Sequence, residues 1–327
     1  MKQTALITGI TGQIGSYLAE ELLKYNYTVY GLFRQSSTPN YWRIQHLLHR
    51  VNFVCGDITD PASMNNTISA LKPDVVFNLA AQSFVGESWN QPYWTTMVNA
   101  IGPLNILEAI RKYSHKTRFY QQSTSEMFGK VQEIPQKETT PFYPRSPYGV
   151  AKLAAHWTAK NYRESYGMFI STGILFNVES PRRTEQFVTR KITTFIGKLM
   201  NMEHTLRSSQ KLQLGNINTQ RDWGYAADAA RAIRMIAEHN EPDDFVIATE
   251  RTYSVKEFLQ IAFSEVGLTW QDYVKIDESL IRPAEVELLL GDASKIRRTL
   301  GWKPTITFQE LVQMMVNADI IAQRNNV

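Results

Sequence analysis

The chain has 327 residues, 43% of them hydrophobic and 20% charged, with a formal net charge of +4. That length suits two lobes around one large core, and the composition is that of an ordinary globular protein. So mild a charge admits an acidic small molecule, while the lack of Lys/Arg-rich runs, zinc-finger spacing or aromatic–basic interleaving speaks against nucleic acid.

The first residues read as a strand with no signal-peptide layout, and no apolar run is long enough to span a bilayer. A single cysteine cannot close an internal disulfide, so a reducing, cytoplasmic setting is expected. That cysteine, Cys55, falls in the apolar run 51–55 and reads as a small buried core residue.

Short apolar runs then alternate with longer amphipathic ones. Strands are expected at 5–8, 28–33, 52–56, 74–80 and 118–123, with helices between them, for example 61–71 and 92–113. This alternation predicts an α/β fold with a doubly wound parallel sheet and helices on both faces. After Phe176 the alternation breaks down around Pro181-Arg182-Arg183, 215–218 and Arg282-Pro283. Helices are expected near 189–202, 227–239, 255–266 and 308–322.

Gly9, Gly12 and Gly15, with Thr11, Gln13 and Ile14, follow the first strand and open a helix. In that context the GxxGxxG spacing reads as a dinucleotide cradle. The glycines allow a tight turn, a close backbone approach to a pyrophosphate and close helix–sheet packing. The helix N-terminus offers unpaired N–H groups to the phosphates. An NAD-preferring site usually ends its second strand with an acid. Here that strand ends at Arg34, which suits the 2′-phosphate of NADP, with Gln35, Ser36 and Ser37 as further donors. Asp57 and Ile58 follow the third strand at the adenine end. Leu79, Ala80, Ala81 and Ser83 follow the fourth, beside the nicotinamide ribose. The expected organisation is therefore an NADP-binding Rossmann domain over 1–175, with segments near 217–250 returning to it. A smaller α/β substrate lobe takes most of 176–327.

Tyr148 and Lys152 stand four apart on one helix face. A tyrosine titrates near pH 10, so a phenolate at neutral pH needs about 4 kcal/mol of help, and a neighbouring ammonium together with the positive nicotinamide ring has the right sign. Tyr148 can then take a hydroxyl proton as hydride leaves the same carbon. Thr124 and Glu126 end the fifth strand, where such folds carry their sites. Thr124 is placed to hydrogen-bond the hydroxyl being oxidised. Glu126 adds what a plain oxidoreductase does not need: a carboxyl group that removes the proton beside a new ketone and then assists departure of the neighbouring hydroxyl.

With these residues in view, the chain resembles the extended short-chain dehydrogenase/reductases, and within them the GDP-mannose 4,6-dehydratases. The resemblance runs from Thr4 to about Met315. It is densest at 78–83, 123–129, 140–152, 173–181, 187–193, 220–224 and 282–292. It implies that Tyr148 deprotonates the sugar 4-hydroxyl as NADP⁺ takes the C4 hydride. Glu126 then removes the C5 proton, water leaves from C6, and the hydride returns to C6. Thr124, Glu126, Tyr148 and Lys152 match the catalytic positions. Ser83, Asn177, Lys191, Arg221, Arg282 and Glu285 match nucleotide-sugar contacts, which Glu126 joins, and Arg183 matches a cofactor contact. A homodimer or homotetramer is implied as well, with the 35–43 loop reaching a neighbouring subunit.

The chain also departs from the family. Ile14 replaces an Asp in the cradle, and Val178 replaces a His. Thr184-Glu185-Gln186 replaces Gly-Glu-Thr, and Gln35 replaces a second Arg. Two rival readings stand beside the first. One keeps the chemistry on another GDP-sugar, such as a GDP-manno-heptose. The other is a non-catalytic NADP-binding protein on the same fold. His46 and His49 lack convincing metal spacing, and no metal is expected. Trp89, Tyr93 and Trp94 read as helix packing ahead of a sugar-pocket border.

Overall fold

The computed structural model describes residues 2–38, 40–280, 286 and 288–324. Seven strands build its main sheet: β1 (Thr4–Thr8), β2 (Thr28–Phe33), β3 (Asn52–Cys55), β4 (Val75–Asn78), β5 (Arg118–Thr124), β6 (Ile170–Leu175) and β7 (Asp244–Ile247). They lie in the order β7-β6-β5-β4-β1-β2-β3, every neighbouring pair parallel. This is the doubly wound sheet that the alternation predicts. The winding reverses between β1 and β4, where such sheets open a crevice at their C-terminal edge.

Eight helices matter below: α1 (Gln13–Lys24), α2 (Pro61–Leu71), α3 (Gly102–Tyr113), α4 (Pro147–Tyr166), α5 (Val188–Met200), α6 (Ala226–Glu238), α7 (Val255–Ser264) and α8 (Phe308–Arg324). Their starts follow local chemistry. Asp60 accepts from the Ala62 N–H at 3.0 Å ahead of α2, and Ser146 accepts from the Gly149 N–H at 3.0 Å ahead of α4. In both, proline takes the first helical position, where no N–H is needed.

Apolar residues of α1 and α6 cover one sheet face, including Leu18, Leu22, Ile233 and Ile236. Met64, Ile68, Ile106 and Ile110 of α2 and α3 cover the other. A separate core joins α5, α7 and α8 through Ile192, Ile196, Phe258, Phe263, Leu311 and Met315. Short strands connect the two regions. Asn177–Glu179 pairs with Trp223–Tyr225, and Gln220–Arg221 pairs with Tyr253–Ser254 and Leu288–Leu289. Among the described residues, no helix is long and apolar enough to cross a membrane.

Two expectations need correction, and a third gains a detail. Cys55 is exposed, because β3 is the sheet's edge strand and the residue ends it. The helix expected over 92–113 is present throughout, with a π turn, Met97–Ile101, between Pro92–Thr96 and α3. Trp89 and Tyr93 do not pack. They are 44% and 77% exposed, whereas Trp94 turns toward the crevice.

Candidate active site

The crevice is a cleft of about 590 Å³. Gly9, Thr11, Gly12, Gln13, Ile14 and Gly15 line it from the β1–α1 turn. Arg34 lines it from the end of β2, and Asp57 and Ile58 from beyond β3. Leu79, Ala80, Ala81 and Ser83 line it from beyond β4, with Arg183 on the far wall. Gly9 adopts φ +72°, and a Cβ there would lie 2.8 Å from the Ala80 nitrogen. At Gly15 a Cβ would press into the backbone of Gly9 and Ile10. Helix and sheet therefore meet at a distance that only glycine permits. α1 begins with no side-chain cap and no acid in its first turn, so its leading N–H groups face the cleft uncancelled. Gln13 contributes backbone alone: its side chain donates to the Val178 carbonyl at 3.0 Å and accepts from Ser180 Oγ at 2.8 Å.

Arg34 lies over the Trp94 ring at 5.7 Å and makes no ion pair among the described residues. Deeper in, four guanidiniums gather. Arg182 pairs with Glu20 at 2.6 Å, Arg183 with Glu179 at 3.3 Å, and Arg190 with Asp319 at 2.6 Å. Arg43 is buried with no carboxylate among the described residues. It donates to the carbonyls of Arg182 and Thr11 and to Thr184 Oγ1. Burial, then the charges of Arg190, Arg183 and Arg182, push Arg43 down to about 10. The set leaves a surplus of positive charge behind the cradle. Sequence reading missed Arg43 and Asn99. Asn99, in the π turn, grips the Gln82 backbone at both N and O at 2.9 Å and so fixes the loop after β4. A lone Asn on an apolar helical stretch was the available signal.

Thr124, Glu126, Tyr148 and Lys152 converge where β5 meets the start of α4. Thr124 Oγ1 accepts from the Glu126 N–H at 3.3 Å, and its hydroxyl hydrogen-bonds Tyr148. Gly149 lets α4 approach closely, since a Cβ there would lie 2.8 Å from the Glu126 carbonyl. The Glu126 carboxylate has no hydrogen bond or ion pair among the described residues. Lys152 is 4% exposed, and its Nζ donates to the Gln122 carbonyl at 2.5 Å.

Burial dominates the electrostatics of the pair. Burial pushes Tyr148 up to about 12, opposed by the Thr124 hydrogen bond, reinforced by Glu126 and opposed again by Arg183. Lys152 stands one turn further along α4. Its ammonium is turned to Gln122, and burial pushes it down to about 8. One turn further, buried His156 shares a hydrogen bond with Ser123 Oγ at 3.0 Å. Burial pushes the imidazole down to about 4.

The expected nucleotide-sugar residues are more dispersed. Ser83 is exposed at the lip of the cleft. Asn177 carries a buried Oδ1 with no hydrogen bond. Lys191 Nζ donates to the Gln213 carbonyl at 2.9 Å. Arg221 donates to the Gln220 carbonyl at 2.8 Å. Its neighbour Asp222 does not serve as a simple partner to it: the carboxylate accepts from Thr249 N and Oγ1 and from Glu250 N. Arg282 and Glu285 lie outside the described residues.

Comparison with known proteins matches the sequence to one family. The family model described as GDP-mannose 4,6 dehydratase matches residues 6–315. The chain is 49% identical over 339 residues to "GDP-mannose 4,6 dehydratase 2" of Arabidopsis thaliana, covering 100% of this chain and 89% of the relative. It is 47% identical to the "GDP-mannose 4,6-dehydratase" of Yersinia enterocolitica, covering 97% of this chain and 93% of the relative. Among solved structures, a UDP-glucose 4-epimerase of Thermotoga maritima with UDP-glucose superposes with a TM-score of 0.86 at 25% identity, covering 99% of this chain and 100% of that one. The chain belongs to the GDP-mannose 4,6-dehydratase family.

Proposed function

We propose that the chain converts GDP-mannose to GDP-4-keto-6-deoxymannose, with a bound NADP restored at each turnover. The observation that carries this reading is Glu126, whose carboxylate has no partner among the described residues and whose backbone N–H donates to Thr124 beside the buried Tyr148. An oxidation alone needs Tyr148 and Lys152, whereas an elimination also needs a second acid–base group.

The cleft's donor set fits the cofactor. The uncapped start of α1 would hold the pyrophosphate, and Arg34 with Ser36 would hold the 2′-phosphate. When bound, NADP supplies a reversible hydride acceptor and a positive ring. Tyr148 takes the proton of the sugar 4-hydroxyl, and Thr124 orients that hydroxyl. Lys152 supplies positive charge at neutral pH. Glu126 removes the C5 proton and returns a proton to the departing 6-hydroxyl, so the carboxylate ends the elimination ionised. Asn177, Lys191 and Arg221, with Arg282 and Glu285, would hold the GDP portion, and Ser83 the sugar.

The exposed Val150 and Trp157, seven apart on α4, and the neighbouring Trp89 and Tyr93 support a homo-oligomer. The purified chain, incubated with GDP-mannose and NADP⁺, should give a 4-keto product lighter by one water, read by alkaline absorbance and mass. Product from GDP-manno-heptose in place of GDP-mannose would move the substrate within the same chemistry. No product from any GDP-sugar would overturn the reading.

A further inference from the structure

We propose that Asp319, on the C-terminal helix, is a positioning residue for the dinucleotide cleft: it holds Arg190, and Arg190 holds the turn at 181–183 that carries Arg183 to the cleft wall. This rests on the reading that the cleft takes a dinucleotide.

The chain of contacts is short. Asp319 is 1% exposed, and its two oxygens accept from Arg190 Nε at 2.9 and 2.8 Å and from Nη2 at 2.6 Å. Thr193 Oγ1 also donates to it at 2.6 Å. That engagement fixes one edge of a planar, rigid guanidinium. The remaining nitrogen, Nη1, donates to the carbonyls of Pro181 and Arg183. α8 and the turn are therefore clamped to opposite sides of one group. Arg183 itself lies 3.5 Å over the Phe187 ring and 3.3 Å from the Glu179 carboxylate. Its place on the cleft wall thus depends on where its backbone is held.

Charge makes the clamp necessary. Burial, and after it the charges of Arg190, Arg183 and Arg182, weigh against the charged form of Arg43. Asp319 neutralises Arg190 within that group. Without the carboxylate, Arg190 would be a buried, unpaired charge beside three others, and it would move, releasing both carbonyls.

The test uses the full chain stripped of nucleotide, as wild type, Asp319→Asn and Thr193→Val. NADP⁺ affinity is measured by calorimetry, and amide hydrogen exchange is followed over residues 181–187 without nucleotide. Asp319→Asn should weaken NADP⁺ binding by about tenfold or more, leave the KM for GDP-mannose at saturating NADP⁺ within about twofold, and speed exchange over 181–187. Thr193→Val removes a bond to Asp319 without releasing Arg190. It should melt lower with near-native affinity and exchange. A lower Tm for Asp319→Asn with unchanged affinity and unchanged exchange would overturn the proposal. If the wild type binds neither NADP⁺ nor NAD⁺, the cofactor reading falls, and exchange at 181–187 alone decides whether the clamp stands. Should Asp319→Asn fail to fold, Arg190→Lys keeps the charge, loses the fork, and is judged by the same two readouts.

Discussion

Replacing Lys152 by Met should make the protein more stable and inactive at once. Burial pushes the Lys152 ammonium down to about 8. In an unfolded chain it titrates near 10.4, so holding the charge inside costs the folded state about 3 kcal/mol at neutral pH. Methionine fills a similar volume without that cost. It also leaves the Gln122 carbonyl without its Nζ donor, which takes back about 1 kcal/mol. The net is about 2 kcal/mol of added stability, or about 3 °C in Tm for a chain of this length.

The pH dependence fixes the sign. The folded value lies below the unfolded one, so between about pH 8 and 10.4 the unfolded chain binds the extra proton. Wild-type stability therefore rises across that window, and the advantage of Lys152→Met shrinks and then reverses. Thermal melts of both proteins from pH 7 to 10, without nucleotide, measure this directly. Dehydration should fall by about 10²–10⁴-fold in the variant. A variant that melts below wild type at pH 7, or an advantage that does not shrink as pH rises, would refute the reasoning.

Glu126→Gln should bind substrate and cofactor normally yet lose about 10²–10⁴-fold in dehydration, with no deuterium entering C5 from D₂O. Full activity in that variant would remove the carboxyl from the mechanism. Arg34→Ala should weaken NADP⁺ binding by about 10–100-fold, as loss of a charge-assisted contact does, while NAD⁺ affinity changes little. Equal losses for both nucleotides would show that Arg34 does not read the 2′-phosphate. His156, pushed by burial down to about 4, should cost the fold about 3 kcal/mol as pH falls from about 6.5 to 4, because the unfolded imidazole takes the proton first. Chemical denaturation across that range should show the acid limb flattened in His156→Gln; an unchanged limb would place its origin elsewhere.

The first five strands were legible because they are short apolar runs broken by turn residues. β6 was not, although it is wholly buried. Ser171 and Thr172 interrupt its apolar pattern, and their partners lie about seventy positions away: Thr172 Oγ1 donates to Asp244 at 2.9 Å, and Ser171 Oγ accepts from the Asp243 N–H at 3.3 Å. Within the site, spacing read together with its place after a strand brought out the glycines and the Tyr148–Lys152 pair. Arg43 and Asn99 stayed hidden because they act mainly on backbone groups, which the sequence does not mark. The direction of the Lys152 ammonium was not legible for a related reason. Four residues along a helix puts Lys152 on the same face, but a carbonyl on β5 decides where its charge points.

The departures from the family pattern fit this division between backbone and side chain. Val178 is buried beside Phe176, and it is its carbonyl that holds Gln13. A side chain without a donor therefore leaves the strand-to-cradle tie intact. Ile14 packs against the main core, and its presence leaves the first turn of α1 without an acid, so the positive end of the helix is undiminished. Neither change removes a backbone group that a pyrophosphate would use. The cradle can thus hold the pyrophosphate common to NAD and NADP with the side chains at 14 and 178 both apolar. Discrimination then falls on the far end of the cleft, where Gln35 stands in place of a second arginine and Arg34 is the one cation among residues 34–38. Its cation–π contact with Trp94 sets where that charge sits along the cleft wall. In the proposed role, the preference for a 2′-phosphate rests on one guanidinium and the aromatic ring beneath it.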